Sequence, residues 1–174
     1  MTELNQNSTP KQCSPNVCFH SDTGFYHLGM RALFKMDFLA AIANFERGVK
    51  EHSEQDLASY WLGQCYFLED DYIKVIEIYQ NLIIKHPDWI YVQFMLGRAY
   101  AHCDRIEEAI ECCEQVLEKG GNYPFVYLTL AKLYEKNSRK ILKAIELVKK
   151  GVGLFPNHHG LKDFHSYLTD VDAP

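Results

Sequence analysis

The chain has 174 residues, 47% hydrophobic and 24% charged, which allows one domain or one repeat array with a buried core. Its net charge of −5 argues against broad nucleic-acid binding, and no run of about 18 or more apolar residues exists to span a membrane. The N-terminus lacks the basic and apolar regions of a secretory signal. The six cysteines form no disulfide framework, so reduced thiols and a cytoplasmic setting are expected.

Residues 1–21 are polar, carry Pro10 and Pro15 and show no periodicity, which predicts a flexible leader. From Asp22 the pattern is helical and repeats. "HLG" at His27, "WLG" at Trp61, "MLG" at Met95 and "TLA" at Thr129 recur every 34 residues. With that Leu at the seventh place, the units are 22–55, 56–89, 90–123 and 124–158. Each holds a helical segment of about fourteen residues, a polar break and a second helical segment. Asp71 follows the acidic break Glu69–Asp70 and suits the N-cap of the helix that begins at Tyr72. Pro87 and Pro156 stop the second helix of two units, since proline lacks a donor and disfavours helix just before itself. The break of the fourth unit is one residue longer, so Ala144 stands where Ala41 and Ala109 stand. After Pro156, Leu161, Phe164 and Leu168 share one face of a closing helix over about 158–170, which ends the apolar stack before a tail at 171–174.

The residues on the clock resemble the tetratricopeptide repeat, a helix–turn–helix of 34 residues. They are Leu28, Gly29, Ala32, Ala41 and Phe45; Leu62, Gly63, Tyr66, Tyr79 and Pro87; Leu96, Gly97, Tyr100 and Ala109; and Leu130, Ala131, Tyr134, Ala144, Gly151 and Pro156. Val75 and Cys113 depart from the pattern. The resemblance implies an all-α fold: a right-handed α-solenoid of four such units plus a C-terminal capping helix, its first helices lining a concave groove. Gly29, Gly63 and Gly97 suit close approach of paired helices, because glycine inside a helix costs about 1 kcal/mol against alanine without such a reason. Tyr66, Tyr100 and Tyr134 are expected to fill the space between neighbouring hairpins.

No nucleophile elbow, phosphate loop or dinucleotide fingerprint is present, so no enzyme and no cofactor are expected. His158, His159 and His165 lack the paired cysteine or carboxylate ligands of a strong metal signature, as does the Cys13, Cys18, His20 group of the leader. The basic run from Lys132 to Lys150 reads as a solvated face, with a docking patch as the alternative.

Places two, five, six, nine and thirteen of each first helix lie opposite the core places at about 100° per residue. The expected partner-binding residues are Tyr26, His27 and Met30 in the first unit, and Tyr60, Trp61 and Gln64 in the second. Tyr91, Phe94, Met95 and Arg98 follow in the third, and Lys132 in the fourth. The surface is aromatic and methionine-rich at first and basic later, through Arg98, Lys132 and Lys136. The residues at place five also suit packing against adjacent hairpins. Some members of the family hold acidic chaperone tails with a carboxylate clamp. Here Tyr26, Met30, Trp61, Tyr91 and Met95 replace all five clamp residues.

These features point to a non-enzymatic module that takes a protein or peptide segment into its groove. The alternatives are a bacterial secretion-type chaperone that holds a client segment, and a structural subunit whose groove is filled by a second copy, as in a homodimer, or by a permanent partner.

Overall fold

The computed structural model describes residues 24–50, 55–137 and 140–171. The expected leader at 1–21 and most of the tail lie outside them. Among the described residues there are helices and turns but no strands. The helices are α1 (Phe25–Phe34), α2 (Phe38–Gly48), α3 (Gln55–Leu68), α4 (Tyr72–Lys85), α5 (Ile90–His102), α6 (Ile106–Glu118), α7 (Pro124–Lys136), α8 (Ile141–Leu154) and α9 (His159–Val171). Each packs against the next in the chain, and α9 also reaches back to α7. The result is an α-solenoid with a single continuous core, from Ala41 to Leu168.

The turns inside the first three hairpins are alike. Met36, Asp70 and Asp104 take positive φ angles of 60°, 58° and 58°. The next N–H then reaches back over the helix end. Asp37 N–H donates to Ala32 O at 3.1 Å, Asp71 to Tyr66 O at 2.9 Å and Arg105 to Tyr100 O at 3.0 Å. This left-handed closure satisfies carbonyls that the helix end leaves bare. The second helix starts at once. The Asp37 carboxylate accepts the Ala40 N–H at 3.0 Å and the Asp71 carboxylate accepts the Lys74 N–H at 3.3 Å, two side-chain caps of the expected kind. Proline opens α7 at Pro124, where its missing N–H leaves no bond unmade.

Within a hairpin the glycine of the first helix lies close against the second, facing an aromatic ring in the first two hairpins and cysteine in the third. A Cβ on Gly29 would lie 2.6 Å from the Phe45 ring, and one on Gly97 2.9 Å from the Cys112 Cβ. In the fourth hairpin alanine replaces glycine at 131 and valine replaces the aromatic at 148, and both are fully buried.

Between hairpins a tyrosine hydroxyl ties each first helix to the preceding second helix. Tyr66 donates to Glu46 at 2.6 Å, Gln80 donates to the Tyr100 oxygen at 2.7 Å, and Tyr134 donates to Glu114. Burial, followed by the Glu46 bond, pushes the Tyr66 hydroxyl up to about 12. Leu161 and Leu168 of α9 are buried and Phe164 packs on the core, so α9 covers the end of the last hairpin.

Candidate functional site

The face formed by the first helices changes character from α1 to α7. Tyr26 is half-buried, edge-on to His27 at 5.3 Å and 6.2 Å from the Phe45 ring, while His27 is exposed and Met30 half-buried. Further along, Tyr60 is the hub of an aromatic cluster. Its ring lies 5.2 Å from Trp61, 6.3 Å from Tyr91, 6.4 Å from Trp89 and 6.5 Å from Tyr79. Burial, with Tyr91 as a lesser cause, raises the Tyr60 hydroxyl. Leu57, Tyr60, Trp89, Tyr91 and Tyr123 line an open cleft of about 510 Å³ between α3 and α5. Leu57 and Tyr91 stay 45% and 49% exposed there, so the cleft offers apolar surface to solvent.

Toward the C-terminal ends of α5 and α7 the face becomes cationic. Arg98 and Lys132 meet in a second cleft, of about 280 Å³, together with His102 and Lys136. The Arg98 guanidinium sits over the Phe67 ring at 4.7 Å and donates to the Met95 sulfur at 3.5 Å. Lys132 is exposed and lies 5.8 Å from the Phe164 ring.

Three of the expected groove residues are placed differently. Phe94 and Met95 are 6% and 3% exposed and belong to the core. The cause is the position of α5 in the middle of the stack, with α4, α6 and α7 against it; Gln93 beside them is buried too, at 4%. Gln64 is half-buried and donates to the Tyr79 hydroxyl at 2.7 Å, so it works inside its own hairpin. The row His27, Trp61, Met95 and Thr129 is therefore not uniform: exposed, half-buried, buried and half-buried. Trp89 and Tyr123 were not expected here. Each is an aromatic residue directly before a first helix, one repeat apart, and that spacing is their sequence signal.

The buried thiols and His158 serve packing. Burial pushes the thiols of Cys65 and Cys112 up to about 11 and that of Cys113 up to about 12, which keeps them protonated and unreactive at neutral pH. His158 accepts the Leu161 N–H at 3.2 Å and its ring meets Phe125 edge-on. Among the described residues no group of three or more His, Cys, Asp or Glu side chains is placed to hold a metal, and no helix is long and apolar enough to cross a membrane.

Residues 90–118 match the family model of the tetratricopeptide repeat. No curated protein matches the sequence. Among solved structures the chain is similar to MamA, with a TM-score of 0.77 and 19% identity over 83% of this chain and 84% of that one. It is also similar to TTC0263, a thermophilic tetratricopeptide-repeat protein of Thermus thermophilus, with a TM-score of 0.63 and 19% identity over 83% and 79%. A third likeness is to the anaphase-promoting-complex hetero-tetramer Cut9–Hcn1, with a TM-score of 0.70 and 21% identity over 83% of this chain. The chain spans only 29% of that protein's length. These identities are those of a shared fold. The chain thus carries a tetratricopeptide repeat in its third hairpin and shares the fold of the tetratricopeptide-repeat structures along most of its length.

Proposed function

We propose that the protein is a non-enzymatic interaction module that takes a segment of a protein partner along the face of its first helices. The fold is that of a protein-interaction scaffold. The observation that carries the reading is the exposed aromatic cleft around Tyr60 and Tyr91, set beside the cationic cleft around Arg98 and Lys132. Rigid aromatic side chains supply large contact area at low entropy cost, and arginine adds charge and geometry, which is the composition of binding hot spots. Tyr26, His27, Met30 and Trp61 extend this surface toward α1. Phe94, Met95 and Gln64 support it from below.

The test is affinity capture with the intact chain, followed by identification of what stays bound. The variant Trp61→Ala/Tyr91→Ala should lose the captured partner while keeping its helix content and melting temperature. Capture that survives in the folded double variant rules this face out.

A structural subunit is the second reading. It is favoured by the apolar side chains left in solvent at the turn ends of α1 and α3, where Phe34 is 83% and Leu68 61% exposed. Cut9–Hcn1, which shares the fold, is itself a hetero-tetramer. Light scattering separates the two readings: a stable dimer that Leu68→Asp dissociates supports the second.

A further inference from the structure

The cleft between α5 and α7 has a chemical bias. Arg98, His102, Lys132 and Lys136 line it with Thr129 and Leu133, and no carboxylate among the described residues does. The ion pairs among the described residues use other cations, namely Lys74, Lys85, His86 and Arg105. Asp70, in the turn before α4, accepts the hydroxyl of Tyr72, whose ring stacks on His102 at 4.2 Å. Arg98 is half-buried and already held by Phe67 and Met95, so it loses little freedom when it meets an anion. Three permanent cations around one cleft, in a chain of net charge −5, make a local field that attracts acidic groups.

The two clefts also have a fixed relation. The aromatic one sits near the first turns of α3 and α5, around Leu57, Tyr60 and Tyr91. The cationic one sits about seven residues further along the helices, around Arg98 and Lys132. At about 1.5 Å per residue that is an axial offset of about 11 Å. The clefts lie on opposite sides of α5, a lateral step of about 10 Å for packed helices. The diagonal is about 15 Å, the span of about four or five residues of extended chain.

We propose that the partner is a protein segment with a two-part signature: an apolar or aromatic anchor for the Tyr60–Tyr91 cleft, and acidic side chains about four or five residues away for the Arg98–Lys132–Lys136 cleft. The inference rests on the reading of this face as the binding surface. It adds the chemistry and spacing of what binds there.

Selection from a random dodecapeptide library on the intact chain tests it. The expected result is enrichment of that spacing, lost when the exposed lysines are reversed in Lys132→Glu/Lys136→Glu. A resynthesised peptide with its acidic residues changed to amides should bind at least about tenfold more weakly, the loss expected for a charge-assisted hydrogen bond. Peptides that need Trp61 and Tyr91 but carry no acidic enrichment, or that bind the lysine-reversed variant equally well, overturn this inference and leave the binding face standing. No selected peptide, or peptides indifferent to Trp61 and Tyr91, overturn both.

Discussion

A Cβ on Gly63 would lie 2.3 Å from Cε1 of Tyr79, inside the ring's own van der Waals surface. Tyr79 has no room to yield. It is fully buried, its hydroxyl donates to the Tyr60 carbonyl at 3.2 Å, and the same oxygen accepts from Gln64. Gly63→Ala should therefore destabilise the protein by about 1–3 kcal/mol, the usual range for overpacking. Gly153 provides the control. It also lies inside a helix, but a Cβ there meets nothing within 4 Å, so Gly153→Ala should stabilise by about 0.5–1 kcal/mol. Urea denaturation of the two variants checks both signs.

The left-handed turn at Met36 makes the opposite prediction for glycine. Met36 has a φ of 60° and is 71% exposed, so its side chain adds strain and little packing. Met36→Gly should raise stability by about 1 kcal/mol. Asp70→Gly should gain less, because Asp70 also accepts the Tyr72 hydroxyl. The measurement is the shift in denaturation midpoint at constant slope.

Gln93 is the buried polar residue of α5. Its amide nitrogen donates to Gln115 at 3.0 Å, while its carbonyl oxygen has no partner among the described residues. An unmet buried acceptor costs about 1–3 kcal/mol, and a methionine of similar shape removes it. Gln93→Met should be neutral or stabilising by up to about 1 kcal/mol. A large loss of stability would mean that the oxygen has a partner in solution.

Two carboxylates tie stability to acid. The bond to His86 at 2.7 Å, and then Lys85, hold Asp56 below the usual carboxylate range; Lys74 does the same for Asp71. A depressed folded value means stabilisation that is full above the unfolded value, about 3.9, and lost as pH falls through the folded one. Asp56→Asn should thus lower the melting temperature at neutral pH, with the difference closing as pH falls below the unfolded carboxylate value. Both sites are solvent-facing, so the effect is at most about 1 kcal/mol.

The fold was legible because its constraints are local and repeated. Glycine at one phase, tyrosine a few places on and aspartate at the second-helix cap each have a steric or hydrogen-bonding cause inside one or two units. The candidate binding face was less legible. Phe94 and Met95 share the phase of Tyr60 and Trp61, but phase alone does not tell how many neighbours a helix has. The sequence Val92–Gln93–Phe94–Met95–Leu96–Gly97 is apolar around nearly the whole circumference of α5, the mark of an enclosed helix. That signal outweighs the groove phase. Trp89 and Tyr123 escaped for another reason: they precede their helices, and the expectation counted only residues within them. Gln64 looked free because its partner, Tyr79, is fifteen residues away on the second helix.

The tyrosine bonds between hairpins join residue 66 to 46, 100 to 80 and 134 to 114, always twenty places back. A chain with residues 56–89 excised would therefore bring Tyr100 opposite Glu46, as Tyr66 is now. The seam would close on a partner it has never met but already fits. Length in this array is thus separable from fold: excision of a whole unit should shorten the face of the first helices while the seam re-forms with the same kind of tyrosine bond.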